Sequence, residues 1–576
     1  MFEYLENVPL LTLLSALPSA LRRDMKAHSL GREELTQADT IVSQTLRQIR
    51  EQLNLLSPTA RLPSEILSQC FENVLSCDLP ECGELERLLE ARTKATKRIA
   101  PIHPLITITH VCRRWRDIAL DTPKLWACID DETPTLMEVF LARSQNTSIS
   151  IRTTMNDVSR IALVLSKHGS RMKLLNLTVE DQLASFIPPL LQFEAPLLEC
   201  LAICSKTNSP PSFEDFTTLL FRKRELNLRA LALVGLNPWL PGNCFPQLTH
   251  LKLSKFADHF LVEDNIPHLR QLLLNTPALQ YLHIGKFGYG VSINAVGDTI
   301  PLPALRALTF TESMFLPTLL LFAMLDLPKD VVVRLDTLKC VSASRSVPQF
   351  PIPSRELLSS LDCLEIVNEL EELHLIARGP MSGLWIQARC VEGRWDEWLS
   401  HLTTFLPMPS IKKLHVSFMD SEVFIHLLPQ FPHLMELVVL PRQEVLAGMI
   451  HGLKYAIQIV YETLARTDPI PVPQLQVLKI KARRTFSLAL VETFVAMAKA
   501  RHALGYPLHT VIIDVDPNEE NEQRSKAAFL AAEPYIVKCL DLNSRIGTSC
   551  FVVDERWEDP EAERWWTLPD NERARF

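Results

Sequence analysis

The residues able to carry chemistry are scattered. Thirteen cysteines spread along 576 residues, beginning Cys70, Cys77, Cys82, Cys112, Cys128, Cys200 and Cys204, and no two form a Cys-x-x-Cys pair. A structural zinc site needs clustered ligands, and a disulfide-built secreted scaffold is shorter and denser in cysteine. The pattern reads as reduced, mostly buried thiols in a cytoplasmic or nuclear protein, with no metal and no other cofactor. There is no Gly-x-Ser-x-Gly nucleophile turn, Walker phosphate loop, His-Glu-x-x-His or deaminase zinc pattern. The GKFGYG cluster at Gly285–Gly290 has the wrong order for a dinucleotide loop and no βαβ frame around it. No catalytic residue is assigned, and the chain reads as a binding protein rather than an enzyme.

A net charge of −8 argues against a protein that coats nucleic acid, and the short basic run Arg92, Lys94, Lys97, Arg98 reads as a solvated insertion. The apolar stretch Val8–Leu21 is preceded by Glu3 and Glu6 and interrupted by Pro9 and Pro18. That excludes a signal peptide and predicts a short amphipathic or poorly ordered leader. No apolar run is long enough to span a bilayer, so no membrane association is expected.

The elements follow from periodicity. The length predicts two to four domains, and 47% hydrophobic residues supply ample core. Glu33–Leu56 lacks Pro and Gly and repeats Ile41, Val42, Leu46, Ile49, Leu53 and Leu56 at helical offsets. Its heptads are few and weak, so a single helix packed on a neighbour is expected rather than a coiled coil. Pro63 then suits the first turn of a helix carrying an Ile66, Leu67, Cys70, Phe71, Val74 stripe. In Val111–Asp130, VCRRWRDIALDTPKLWACID, a helical stripe of Ile108, Val111, Cys112, Trp115, Ile118 and Ala119 ends at Asp121–Pro123. Leu125, Trp126 and Ile129 form a second apolar group able to fold back on it.

Beyond residue 170 a phrase recurs: Pro-x-Leu-x-x-Leu-x-Leu. It reads APLLECLAI (Ala195–Ile203), FPQLTHLKL (Phe245–Leu253), TPALQYLHI (Thr276–Ile284), LPALRALTF (Leu302–Phe310), MPSIKKLHV (Met408–Val416), FPHLMELVV (Phe431–Val439) and VPQLQVLKI (Val472–Ile480). Weaker copies without the Pro stand at Arg171–Leu177, Leu226–Leu233, Arg334–Val341 and Leu370–Leu375, and Leu508–Val515 reads as a closing strand. The last two apolar residues of the phrase point to one side of a strand, and Pro breaks whatever precedes it. Helical spacing appears between phrases in DFTTLLFRKREL, TESMFLPTLLLFAMLDL and SLALVETFVAMAKARHAL. One unit cannot bury its apolar face alone, whereas stacked units share a core, so an irregular leucine-rich-repeat solenoid is expected. The Asn that usually follows such strands is replaced by Phe256, Phe287, Ser313 and Arg483, which excludes an Asn ladder there.

The resulting fold class is α/β, a helical N-terminal domain followed by a solenoid of parallel strands with helices. Residues 1–57 form the leader and long helix, 58–130 a helical domain with an insertion at about 76–104, and 131–515 the solenoid. Residues 516–576 form a tail whose Trp557, Trp565 and Trp566 read as a cap over the last repeat.

Two pieces, LPSEILSQCF (Leu62–Phe71) and THVCRRWRDIALDTPKLWACI (Thr109–Ile129), resemble the F-box, most closely the F-box-like domains of large fungal families with trailing leucine-rich repeats. The resemblance implies docking on a Skp-type adaptor, which connects to a cullin-based ubiquitin ligase, while the repeats capture a target protein. It assigns adaptor contact to Leu62, Pro63, Ile66, Leu67, Val111, Cys112, Trp115 and Trp126, with Leu62 and Pro63 the foremost contacts and the two Trp more core-like. Residues beside the strands' core positions, His250, Lys252, Tyr281, His283, Lys413 and His415, are the expected target contacts and are expected to be exposed. The alternative is a repeat scaffold whose F-box-like domain no longer docks.

Overall fold

The computed structural model describes residues 10–26, 31–77, 104–130, 134–155, 157–179, 186–205, 219–236, 240–254, 265–288, 299–342, 355–369, 371–392, 395–417, 422–440, 450–482, 488–515, 527–542, 544, 546, 557, 560–563 and 565. They fall into two units. One comprises residues up to 77, 104–126 and 143–145, and the other 127–142 and everything from 146 onward. Among the described residues no helix is long and apolar enough to cross a membrane.

The first unit is helical: α1 (Leu10–Lys26), α2 (Arg32–Leu56), α3 (Ser64–Cys77), α4 (Pro104–Val111) and α5 (Arg113–Leu120). Pro63 stands just before α3, and its carbonyl accepts the Leu67 N–H at 3.1 Å. The stripe predicted as one helix through Trp115 is two helices. Cys112 breaks it with an extended backbone, and its Sγ accepts the Trp115 N–H at 3.5 Å, capping α5. The long helix α2 departs from expectation more sharply. None of its residues is buried, and Ile41, Val42, Leu46, Leu53 and Leu56 are exposed, so among the described residues no neighbour covers the apolar stripe as expected.

The second unit is mixed α/β around one large, mostly parallel sheet. Its strands in chain order are β1 (Cys128–Asp130), β2 (Ile149–Met155), β3 (Met172–Val179), β4 (Cys200–Ser205), β5 (Ala230–Val234), β6 (His250–Ser254), β7 (Tyr281–Gly285), β8 (Ile300–Pro301), β9 (Ala307–Thr311), β10 (Leu325–Asp326), β11 (Val332–Ser342), β12 (Cys363–Glu369), β13 (Glu372–Arg378), β14 (Gly383–Glu392), β15 (Lys413–Ser417), β16 (Glu436–Val439), β17 (Val477–Ala482), β18 (Leu508–Val515) and β19 (Ile536–Asp541). Seventeen of them pair in the order β1 to β7, β9, β11, β14, β13, β12, β15 to β19, and β8 with β10 makes a separate small pair. Every pairing is parallel except the two made by β13, which turns the segment β12–β13–β14 into an antiparallel meander. The copy at Leu370–Leu375 is therefore not a repeat strand.

All seven Pro-led phrases become a turn followed by a parallel strand. In six of them the N–H of the first apolar position closes the turn onto the carbonyl before the Pro, as Leu248 does on Phe245 (3.2 Å) and Leu279 on Thr276 (3.1 Å). Proline's fixed φ is pre-set for the second position of such a turn. The next step locks register: the residue before the strand and the strand's first residue both donate to one carbonyl of the preceding unit. Thr249 and His250 share Arg229 O, Gln280 and Tyr281 share Thr249 O, and Gln476 and Val477 share Met435 O. This aligns the alternate apolar positions into columns, Leu251–Leu282–Leu308 and Leu253–Ile284–Phe310, each residue at most 1% exposed. Burial of each such side chain is worth roughly 1.5–3 kcal/mol.

Other segments depart from the expected plan. The helices Phe315–Met324 and Leu488–Ala503 form as their spacing predicts, but DFTTLLFRKREL yields only a short 3₁₀ turn, Leu220–Arg222, among its described residues. Leu508–Val515 is not the closing strand, because β19 pairs beyond it. Asparagines do tie neighbouring units, but before the strands rather than after them. The buried Asn243 accepts the Leu220 N–H (2.9 Å) and donates to the Leu220 and Lys223 carbonyls, and Asn275 Nδ2 donates to Asn243 O (3.1 Å). Of the substituted positions, Phe287 and Ser313 are buried and joined by an N–H to Oγ bond of 2.9 Å, while Phe256 and Arg483 lie outside the described residues. Asn243→Ala leaves buried backbone groups unsatisfied and should cost about 2–3 kcal/mol in urea unfolding, against a few tenths for the half-exposed Asn275→Ser.

Candidate functional site

Two faces present the residues singled out above. In the helical unit, Leu67 and Phe71 of α3 and Leu105 and Ile108 of α4 are buried, and the Phe71 and Trp115 rings meet with centroids 4.9 Å apart. Leu125 and Trp126 fold back as expected: Trp126 Nε1 donates to Ala119 O at 2.7 Å, and the Arg143 guanidinium lies 4.4 Å over its ring. Arg114, which lies off the apolar stripe, donates through both terminal nitrogens to the carbonyls of Ala60 and Leu62. That clamp fixes the chain entering α3.

The expected adaptor contacts divide by exposure. Pro63, Ile66 (42%) and Val111 (51%) are exposed, Leu62, Cys112 and Trp115 are half-buried, and Leu67 and Trp126 are buried. Three of the eight expected contacts thus remain on the surface of a small unit whose own core is filled without them, as do Val74 of α3 and the apolar stripe of α2. The insertion at about 76–104, including its basic run, lies almost entirely outside the described residues.

In the sheet unit, four of the six expected target contacts are buried rather than exposed. His250, Lys252, Tyr281 and His283 are each at most 6% exposed, whereas Lys413 is exposed and His415 half-buried. What covers part of this face is the C-terminal segment. Trp557 packs against Trp385 of β14 with ring centroids 5.3 Å apart, beside Ile376 and Val332. Trp565 packs on Cys200, Ala202, Ala230 and Ala232, with its ring edge-on to His250 at 6.4 Å. His250 Nε2 donates to the Glu561 carbonyl at 2.8 Å, while its Nδ1 accepts from Thr249. Trp557 and Trp565 are therefore seated on the sheet face rather than over the last repeat, whereas β19 of the same tail pairs at the end of the array, and Trp566 lies outside the described residues.

The face is also electrostatically built. Tyr281 stacks on His250 at 4.5 Å, and Arg334 lies 4.9 Å over Trp385 while meeting Asp336 at 3.4 Å. Burial, with Lys252 and Arg334 nearby, pushes His283 well below the usual histidine range, so it stays neutral and shares a proton with Thr311 Oγ1 at 3.0 Å. Burial also lowers His415. Among the described residues, no three His, Cys, Asp or Glu side chains converge as metal ligands. No protein-family model matches the chain, and no curated protein does.

Two buried groups on β12 and β13 titrate with opposite signs. Burial pushes the Glu365 carboxyl up to about 7, opposed by Arg378 at 4.0 Å. Its folded value lies above the unfolded one, so stability falls as pH rises from about 4.5 to 7. Burial takes His374 down to about 4, so its contribution is lost as pH falls from 6.5 to about 4. The two slopes offset in the native chain. Glu365→Gln should unmask the histidine slope and gain up to ~3 kcal/mol over the native chain at pH 8 relative to pH 4.5, in urea titrations across that range.

Proposed function

We propose that the chain is a non-catalytic substrate-recognition subunit of a Skp–cullin–F-box type ubiquitin ligase. The helical unit is read as an F-box-like domain that docks on the adaptor, and the parallel-strand array as an irregular leucine-rich-repeat solenoid that holds a target protein. The observation carrying this reading is the set of apolar side chains, Pro63, Ile66 and Val111, exposed on a unit whose core is already closed by Leu67, Phe71, Leu105 and Ile108. Exposed aliphatic and ring anchors on a rigid, pre-organised surface are what a protein interface uses. The Arg114 clamp holds Leu62-Pro63 in position without any partner. The mechanism is proximity: the target is held at one end, and the attached complex supplies the chemistry.

Co-expression with a Skp-type adaptor tests this. The native chain should capture the adaptor, and Ile66→Asp with Val111→Asp should weaken capture at least about 100-fold with the melting temperature unchanged, since both positions are exposed. Leu62→Ala/Pro63→Ala should weaken it less. A native chain that captures no adaptor overturns this reading and leaves the scaffold alternative.

A further inference from the structure

The C-terminal segment lies on the strand face opposite the aliphatic columns, with Trp557 buried in a cluster with Ile376 and Trp385. Its two indoles, eight residues apart, insert at two separate spots where the strand face carries unusually small side chains. Trp565 rests on a shelf of Cys200, Ala202, Ala230 and Ala232. Trp557 stands where Gly383 leaves room: a Cβ there would lie 2.7 Å from the indole. Between them, His250 fixes the backbone through the Glu561 carbonyl, and Ala562 is 4% exposed. The spots lie on β13–β14 and β4–β5, with β11, β9, β7 and β6 between them. Between the two spots the described residues Pro560–Glu563 form a 3₁₀ turn.

The segment is acidic on balance: Asp554, Glu555, Glu558, Asp559, Glu561 and Glu563 stand in sequence with Arg556 and Arg564, while the face buries Lys252 and the Arg334–Asp336 pair. We infer that this face is a receptor for an acidic peptide carrying two aromatic anchors about eight residues apart, on either side of a short 3₁₀ turn, and that Trp557–Trp565 is its internal occupant, which a target displaces. This rests on the target-holding half of the function proposed above and not on adaptor docking. Tethering gives the tail an effective concentration in the millimolar range, so it suppresses any competitor of ordinary affinity.

The test uses the full chain and, as probe, a fluorescein-labelled peptide of residues 551–570. Trp557→Ala/Trp565→Ala should bind the peptide in fluorescence anisotropy at least about tenfold more tightly than the native chain. Adding Gly383→Leu, which fills one seat, should abolish that binding. A folded double variant that does not bind the peptide, or a native chain that binds it equally well, overturns the inference, and neither result bears on adaptor capture. Should the double variant not fold, a protease site inserted after Cys550 replaces it. The cleaved tail should exchange with excess peptide, whereas a tail that never exchanges is structural and overturns the proposal.

Discussion

The sheet unit depends on one repeated interaction: two consecutive N–H groups, one before the strand and one at its start, donate to a single carbonyl of the unit before. The pairs on Arg229, Thr249, Gln280, Lys412 and Met435 all have this form. It needs a chain that arrives at a fixed angle, which the Pro-led turn provides, and it leaves no freedom for a one-residue slip. A slip would carry every aliphatic column to the wrong face. Register here is therefore set at the turn, and hydrophobic burial rewards a choice already made.

Fixing register also fixes the other face. Positions alternating with the core columns, including Ala202, Ala232, Lys252, His283 and Arg334, form a second surface whose chemistry the core does not constrain. In an ordinary array that surface would be solvated and polar. Here it carries small side chains, aromatic stacks and buried cations, and part of the same chain lies on it. The helical unit follows the same economy. Arg114, which lies off the apolar stripe, and Cys112, whose thiol caps α5, set the backbone that presents Pro63, Ile66 and Val111 outward.

Much of this was legible in the residues, because the repeated phrase carries its own geometry: Pro for the turn, two alternate aliphatics for the strand. All seven such phrases lead into parallel strands, and Leu125 and Trp126 fold back as their spacing predicts. What escaped has no local periodic signal. The break at Cys112 falls inside an apolar run that continues across it, and only the backbone reveals the thiol as a cap. The antiparallel β13 carries the same aliphatic alternation as its parallel neighbours, since period two does not encode direction. The Asn243–Asn275 tie was missed because asparagine was sought after the strands. The seating of Trp557 and Trp565 is a contact between residues hundreds apart; the small side chains at Cys200, Ala202, Ala230 and Gly383 were the available hint.

The proposed two-ended account stands on whether a Skp-type adaptor binds the helical unit. Hydrogen–deuterium exchange on the full chain, alone and with a Skp-type adaptor, tests this directly. Protection on adding adaptor should be confined to peptides covering residues 62–75 and 105–126, with the strands β4 to β9 unchanged. Protection on the strands instead, or none over those two helical segments, would contradict it.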